Sequence, residues 1–410
     1  MEEQKKLKSE DVAMLNKKKI TFQITKNKNF TVKVSEPFNN LVVSFLNDFS
    51  NELKKRKKIY RYPDLLYLIV WCSKKKIENY ENFFLNNQIR LGRGLIFHIC
   101  PSNVPTNFIY SFFFGLLSGN SNIIKMPSKN FEEKNIILST INLLFKKNKY
   151  RILKNTNCFI QYNNQPEKTE KISSICDGRV IWGGDKTINE IRKIPIPERT
   201  VEVTFPDRYS ISIINLNKLK KEEKSNIKFL ANKFFYDGYS MNQLACNSPH
   251  FIFWIGKKNL NLQNSFWKEL NKIVEKKFLF DDIHVVDKYS NLLENILLQK
   301  NFRKIKKFKN NLYVVDPNNK IKNIENIRGI NGTFFQKNIN EIKNLKNFIS
   351  KKCQTISYYG FDKKQLKSFM LNNNLLGIDR IVPMGSALNI DIMWDGYDVI
   401  RSLSRIVTVE

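Results

Sequence analysis

The fold is decided by a strand and a rigid turn that read Leu95-Ile-Phe-His-Ile-Cys-Pro-Ser-Asn-Val-Pro-Thr106. The apolar start of this stretch predicts a buried strand, and Pro101 and Pro105 force a sharp turn after it. An apolar helix is predicted at Thr106–Leu117, and a second strand at Asn122–Lys125. A strand, a helix and another strand at this spacing favour a parallel sheet covered by helices.

The same alternation extends along the chain. Before residue 205, further strands are predicted at Ile20–Ile24, Phe30–Val34, Cys158–Tyr162 and Arg179–Trp182, with helices at Asn39–Lys54, Pro63–Cys72, Glu132–Lys146 and Lys186–Ile194. After residue 205, strands are predicted at Ile211–Ile214, Phe251–Ile255, Asn311–Val315 and Val407–Val409, and helices at Ser225–Asp237 and Ser265–Lys276. A strand–helix–strand unit is predicted at Gly332–Phe369. We therefore predict an α/β protein with two doubly wound domains.

Charge and composition exclude several classes of protein. The 410 residues carry a formal net charge of +31, but the lysines are spread over the whole chain without a recognisable nucleic-acid-binding pattern. Nucleic acid is therefore not the expected partner. Six cysteines without a CxxC pair and three histidines argue against a disulfide framework and a metal site. No signal peptide or bilayer-spanning apolar run is present, so we expect a cytoplasmic protein that binds no membrane.

Cys246 is the candidate nucleophile. It lies in the polar turn Tyr239-Ser-Met-Asn-Gln-Leu-Ala-Cys-Asn-Ser-Pro249, between a predicted helix and a predicted strand. Small and polar neighbours leave room for a substrate near the sulfur, and a thiol needs little help to ionise. Taken alone, an intracellular cysteine is more often inert.

Two more stretches have the residue types of a reactive site. Asn103 lies in the turn after the first strand and could donate its amide to an oxyanion, or could only stabilise the turn. Lys125 ends a strand and is followed by Met126-Pro-Ser-Lys129, a position where an open α/β sheet can bind a nucleotide. The chain contains neither GxGxxG nor GxxxxGK[ST], so a conventional dinucleotide fingerprint and a P-loop are absent.

Seven motifs, in order, resemble the aldehyde dehydrogenase superfamily and within it the LuxC-type acyl-CoA reductases. They are His98-Ile-Cys-Pro-Ser-Asn-Val-Pro105, Gly115-Leu-Leu-Ser-Gly-Asn-Ser-Asn-Ile-Ile-Lys-Met-Pro-Ser128, Trp182-Gly-Gly184, Val201-Glu-Val203, Asn242-Gln-Leu-Ala-Cys-Asn-Ser-Pro249, Pro383-Met-Gly-Ser-Ala387 and Trp394-Asp-Gly396. The resemblance covers roughly residues 90–410. It implies an aldehyde dehydrogenase-like fold with the catalytic cysteine at the interface of the two domains.

The resemblance also implies roles for individual residues. Cys246 is similar to the acyl-accepting nucleophile, and Asn103, with the Cys246 N–H, to the oxyanion hole. Lys125 is similar to the lysine on the adenosine ribose, and Trp182-Gly183-Gly184 to the turn that faces the pyrophosphate. Glu202 matches an acid that acts as general base, although the residues themselves equally allow a structural acid at a strand end.

One departure from the superfamily concerns the cofactor. Ser128 and Lys129 follow the strand lysine where many relatives have an acid that holds a ribose hydroxyl. A lysine at this place would favour a 2′-phosphate, so the expected cofactor is NADPH.

The implied domain organisation has three parts. Residues 1–205 would form an N-terminal segment and a Rossmann-like cofactor-binding domain, and residues 206–383 the catalytic domain with the cysteine. Residues 384–410 would form a tail that packs on the cofactor domain or at a subunit interface. The resemblance further implies a homo-oligomer.

The expected activity is reduction of an acyl-CoA to an aldehyde. The acyl group would come from CoA or from a partner similar to an acyl-protein synthetase. Two alternatives stay open at this point. One is another enzyme of the superfamily, such as an acyl-phosphate reductase or an aldehyde oxidiser. The other is a basic binding protein that keeps the fold without its chemistry.

Overall fold

The structure is a computed structural model, and it describes residues 21–24, 30–57, 59–84, 88–101, 104–163, 165–221, 224–299, 302–317, 321 and 323–410. The chain divides into two compact units. The first contains the residues up to Pro206 together with Ile390–Glu410, and the second is Asp207–Asn389.

The first unit alternates strands and helices. Its strands before residue 206 are β1 (Thr21–Ile24), β2 (Ile89–Gly92), β3 (Leu95–Ile99), β4 (Ser121–Lys125), β5 (Asn157–Gln161), β6 (Gly178–Trp182) and β7 (Val201–Phe205). Its helices there are α1 (Asn40–Lys54), α2 (Pro63–Trp71), α3 (Lys74–Phe84), α4 (Asn107–Leu117), α5 (Glu132–Phe145), α6 (Arg151–Thr156), α7 (Pro166–Ser173) and α8 (Asp185–Arg192).

Six of these strands form one sheet in the order β1-β5-β4-β3-β6-β7. All neighbours in it are parallel except β1, which runs antiparallel to β5. Strands β4 and β5 follow β3 on one side, and the chain then returns to place β6 on the other side. The direction of strand order therefore reverses between β3 and β6, and ligands of open α/β sheets bind beyond the carboxyl ends of the strands at such a point.

Helix α4 forms the centre of the core of this unit. Every residue from Phe108 to Leu117 is buried, as expected for a helix that is apolar on all sides. The Trp71 ring of α2 stacks on Phe113 with centroids 6.0 Å apart and meets Tyr110 edge-on at 5.5 Å. These aromatic contacts attach the N-terminal helices to the sheet layer.

The second unit repeats the doubly wound pattern. Its strands are β8 (Tyr209–Asn215), β9 (Pro249–Ile255), β10 (Phe302–Phe308), β11 (Leu312–Pro317), β12 (Thr333–Ile339), β13 (Cys353–Tyr359) and β14 (Arg380–Pro383). Its helices are α9 (Leu216–Lys220), α10 (Lys224–Tyr239), α11 (Leu260–Lys277), α12 (Asp282–Gln299) and α13 (Lys363–Asn372). The sheet order is β10-β11-β12-β9-β8-β13-β14, and only the β10–β11 pair is antiparallel.

The C-terminal segment adds small elements to the first unit. They are β15 (Met393–Trp394), β16 (Tyr397–Asp398), α14 (Val399–Ser402) and β17 (Ser404–Val407). Strand β17 pairs antiparallel with β2, and the Arg90 guanidinium donates to Ser404 Oγ at 3.0 Å and to the Arg401 carbonyl at 2.9 Å.

The predicted α/β class is confirmed, but the end strand predicted at Val407–Val409 is observed at Ser404–Val407, and another predicted strand is absent. Residues Phe30–Val34 form no strand, because their backbone bonds to scattered groups and not to a neighbouring strand. Thr31 N donates to the Asn155 carbonyl, and Lys33 N to Ser121 Oγ. Along the described ranges, no helix is long and apolar enough to cross a bilayer.

One buried carboxyl in the first unit has an incomplete set of partners. Asp64 is 5% exposed, and its Oδ1 accepts from the Leu65 N–H at 3.0 Å. Its Oδ2 has no hydrogen-bond partner among the described residues. Burial, with the nearby Glu133 charge, raises the pKa of Asp64 to about 7. The folded protein therefore keeps a proton on Asp64 that the unfolded chain loses near pH 4.

This difference in pKa makes stability depend on pH. Because the folded-state pKa is raised, the wild-type free energy of unfolding should fall as pH rises from about 4 to about 7. Asp64→Asn should remove the contribution of Asp64 to that fall and raise stability at pH 8 by about 1–3 kcal/mol. Urea unfolding of both proteins at pH 5 and pH 8 tests this, with the exposed Asp287→Asn as control. Equal pH slopes for wild type and Asp64→Asn would contradict it.

Candidate active site

Cys246 lies in a turn between the end of α10 and the start of β9. A short 3-10 segment precedes it, in which Met241, Asn242 and Gln243 have φ of 56°, 55° and 62°. Left-handed backbone at non-glycine residues is uncommon and is retained only where the surroundings hold it. Cys246 is half-buried, and the other five cysteines are buried, so Cys246 is the thiol placed to meet a substrate.

Three polar side chains hold the turn. Ser210 Oγ, at the start of β8, donates to the Cys246 carbonyl at 2.7 Å. Asn247 Nδ2 donates to the Ala387 carbonyl at 2.7 Å. The fully buried Gln243 amide donates to the carbonyls of Pro249 at 3.1 Å and Thr333 at 3.0 Å, and accepts from the Gly332 N–H at 3.1 Å. The backbone on both sides of Cys246 is therefore fixed.

The two histidines near the motifs are structural. His98 is fully buried, and its ring nitrogens lie 2.7 Å from Ser111 Oγ and 2.9 Å from Asn122 Oδ1. Burial lowers the pKa of His98 to about 4. His250 Nδ1 lies 2.8 Å from the Gly329 carbonyl, and burial lowers its pKa to about 3. Both rings are neutral at pH 7, and His98 is a core residue.

The lysine predicted to meet a nucleotide lies at the carboxyl edge of the first sheet. Lys125 is the last residue of β4 and is level with Ile99 of β3 and Ile160 of β5. Its Nζ lies 4.6 Å from the centre of the Tyr162 ring, and burial lowers its pKa. A half-buried ammonium at this edge suits the hydroxyl groups of a ribose.

The turn after Lys125 presents further polar groups. Ser128 and Lys129 are exposed. The buried Lys134 Nζ donates to the Lys129 carbonyl at 2.9 Å, and Gln161 Nε2 donates to the Ser128 carbonyl at 3.1 Å. These bonds hold the backbone while the Lys129 side chain remains accessible to an anion.

The Trp182-Gly183-Gly184 segment connects β6 to α8 at the switch point. The Trp182 ring stacks on Phe205 at 3.9 Å, and its Nε1 donates to Ser111 Oγ at 3.0 Å. Gly183 N donates to the Phe205 carbonyl at 3.2 Å. A Cβ built on Gly184 would have no described atom within 4 Å, so a ligand can approach this backbone closely.

These residues fit a dinucleotide. An ammonium, an open glycine and the N-terminus of α8 lie along the carboxyl edge, where helix N–H groups favour phosphate. Asp185, the first residue of α8, adds a carboxylate to the same helix end. Lys125 and Gly184 are therefore the stronger part of the predicted cofactor site, and their cofactor-binding roles remain predictions.

Glu202 is held in an ion pair. Its Oε2 accepts from Arg179 Nε at 2.8 Å and Nη2 at 2.5 Å, and its Oε1 from Arg192 Nε at 2.8 Å. In the β6–β7 register Glu202 is opposite Arg179, whereas the carboxyl end of β7 is Phe205. The structure thus places Glu202 away from the carboxyl edge of the sheet, and a role as general base stays a prediction that this geometry does not favour.

Asn103, with its neighbour Ser102, lies outside the described residues. Its predicted oxyanion role therefore stays a prediction. The structure adds residues that the sequence did not single out, chiefly Ser210 and Ser111. No local pattern marks either serine, because each acts on a segment distant in sequence.

Several solved structures share this fold. One from Marinobacter aquaeolei is 11% identical with a TM-score of 0.64, covering 92% of this chain and 87% of that chain. Staphylococcus aureus AldH is 12% identical with a TM-score of 0.57, covering 90% and 89%. A salicylaldehyde dehydrogenase from Pseudomonas putida G7 is 9% identical with a TM-score of 0.59, covering 90% and 84%. The chain therefore has an aldehyde dehydrogenase-like fold.

Sequence comparison defines the branch. Residues 74–409, most of the chain, match the acyl-CoA reductase (LuxC) family, and the protein belongs to that family. It is thus an oxidoreductase that forms an aldehyde, and membership implies a nicotinamide cofactor. No protein with a curated description matches the sequence significantly.

The Glu202 ion pair can be tested by a neutral substitution. Glu202→Gln should lower the free energy of unfolding by about 3 kcal/mol, because it leaves the buried Arg179 guanidinium without its charge partner. Glu190→Gln is the control, since its 2.9 Å pair with Lys193 is exposed and should contribute less than about 1 kcal/mol. Chemical denaturation measures both. If Glu202→Gln left the stability unchanged and shifted the pH profile of Cys246 alkylation, Glu202 would instead act as the general base for the cysteine.

Proposed function

We propose that this enzyme is an NADPH-dependent acyl-CoA reductase that forms its aldehyde through an acyl group bound to Cys246. The observation that carries the proposal is the Cys246 turn. It contains the one half-exposed cysteine, and Ser210, Gln243 and Asn247 immobilise the backbone around it. A fixed backbone is what a nucleophile needs to meet a carbonyl in a productive geometry.

The chemistry begins with acyl transfer to the protein. The Cys246 thiolate attacks the thioester carbonyl, a new C–S bond forms, and the CoA thiolate leaves with the electron pair of the broken C–S bond. The Cys246 N–H and Asn103 would donate to the oxyanion of the tetrahedral intermediate. Bound NADPH would supply the hydride for reduction to the aldehyde. Cys246 then leaves as a thiolate and is ready for another acyl group.

The preference for NADPH rests on the turn after β4. Lys129 is exposed and extends a cation where relatives commonly have an acid, and Lys125 lies at the neighbouring strand end. A cation stabilises a 2′-phosphate, whereas an acid would repel it. The acyl group would arrive on CoA or from an acyl-protein synthetase-like partner, and the enzyme would act as a homo-oligomer.

The acyl intermediate can be observed directly. Intact-mass analysis after incubation with a panel of acyl-CoAs, without cofactor, should show one acyl adduct on wild type and none on Cys246→Ala. Addition of NADPH should remove the adduct and release the aldehyde. Cys158→Ala, a buried cysteine, is the matched control and should retain the adduct. An adduct that persists in Cys246→Ala would overturn the assignment of the nucleophile.

The cofactor preference has a separate test. Lys129→Ala should raise KM for NADPH about tenfold and leave KM for NADH nearly unchanged, because one charge-assisted contact to the 2′-phosphate is lost. Lys146→Ala removes an equally exposed lysine after the far end of α5 and should change neither value. If Lys129→Ala raised KM for NADPH and KM for NADH equally, the lysine would instead contact a part of the cofactor that both molecules have.

A further inference from the structure

A buried carboxylate in the second unit holds a turn that follows the last strand of its sheet. Asp237 lies near the end of α10 and is fully buried. Its Oδ2 accepts from the Gly385 N–H at 2.7 Å, and its Oδ1 from the Ala387 N–H at 2.9 Å. Because each oxygen takes one backbone N–H, the carboxylate holds both ends of the turn.

This turn is part of the Pro383-Met-Gly-Ser-Ala387 motif and has little freedom. Gly385 has φ +90°, and a Cβ built there would lie 2.6 Å from Lys233 Cδ. Met384 N donates to the Tyr358 carbonyl at 3.0 Å, and Ser386 N to the Pro383 carbonyl at 3.1 Å. A left-handed glycine and these bonds define one backbone conformation.

The same turn is bonded directly to the residue after Cys246. The Ala387 carbonyl accepts from Asn247 Nδ2 at 2.7 Å and from Arg380 Nη1 at 3.1 Å. Asn247 is 6% exposed, so its amide is enclosed. The Asp237 carboxylate is therefore linked through Ala387 of the turn to the side chain of Asn247, the residue next to Cys246.

We propose that Asp237 is a positioning residue for Cys246, acting through the Gly385–Ala387 turn and Asn247. The inference rests on the proposed function, because it assigns Cys246 as the nucleophile. Asp237 would set the direction of the Cys246 sulfur and N–H relative to the substrate carbonyl and would touch no reacting atom. The Pro383–Ala387 motif would then connect Asp237 to the Cys246 segment.

A single-atom change isolates this effect. Asn has the shape of Asp, but its NH2 cannot accept a hydrogen bond. In Asp237→Asn one of the two turn N–H groups faces another donor, so the turn must move, and the Ala387 carbonyl moves with it. The pKa of Asp237 is raised to about 7, because burial outweighs the lowering effects of the two turn N–H groups and of the Arg380 and Lys233 charges. Measurement at pH 8.5 keeps the wild-type carboxylate ionised.

Two electrophiles separate positioning from exposure. p-Nitrophenyl acetate transfers an acetyl group to the thiolate through an oxyanion, releasing p-nitrophenolate in a burst. Iodoacetamide alkylates the thiolate with loss of iodide and forms no oxyanion. The burst rate constant at Cys246 should fall about 10- to 100-fold in Asp237→Asn, whereas site-resolved alkylation of Cys246 should change little.

Further variants give the control and a check on the route. Asp64→Asn makes the same change at another buried aspartate with a raised pKa, and its burst should equal that of wild type. Asn247→Ala removes the bond between the turn and the Cys246 segment and should slow the burst to a similar extent. The double variant should be no slower than either single variant, because both changes break one series of contacts.

Each remaining outcome contradicts the inference in a recognisable way. An unchanged burst in folded Asp237→Asn overturns it while leaving the proposed function intact. An equal fall in burst and alkylation shows general loss of the thiol environment and also overturns it. A wild-type burst no larger than that of Cys246→Ala refutes the proposed function, and this inference with it.

Discussion

The buried amide of Gln243 binds two stretches of backbone in the second unit, through the carbonyl of Pro249 and through the Thr333 carbonyl and Gly332 N–H. These groups lie at the starts of β9 and β12, at the margin of the sheet ladder, and a buried polar group left unpaired there costs about 1–3 kcal/mol. Left-handed backbone at residues 241–243 brings the amide to them. Since Cys246 lies between Gln243 and β9, its own conformation follows from this contact.

In the first unit, hydrogen bonds between neutral side chains join neighbouring strands. Ser111 Oγ lies between Trp182 Nε1 and His98 Nδ1, and Asn122 accepts from the other ring nitrogen and donates to Asn157. Neighbouring strands are thereby joined without a buried charge, which low dielectric would penalise. Two lysines stand at the carboxyl edge, Lys125 half-buried and Lys129 exposed. Lysines at this edge are suited to an anionic cofactor.

Prediction from sequence succeeded where burial on both faces leaves a continuous apolar run, as in β3, β6 and β9. It omitted β10, whose lysines are typical of a sheet edge, and α12, whose apolar residues Ile283, Val286 and Leu297 are exposed. It failed at Phe30–Val34, where Phe30 and Val32 pack in the hydrophobic core although their backbone pairs with no strand that the structure describes. For the site, it selected Cys246, Lys125 and Gly184, whose positions in turns and at strand ends depend on neighbouring residues.

The amino-acid sequence by itself determined the α/β class, the branch of the superfamily and the turn that carries the cysteine. Each of these depends on local spacing, turn chemistry and motif order. Only the tertiary structure decided which partners the charged side chains have. Glu202 pairs with Arg179 across 23 residues, and Asp237 binds the Gly385 N–H across 148. The physical reason is that the nearest partner of a buried charge is chosen by strand register and packing, which bring together residues that no short motif connects.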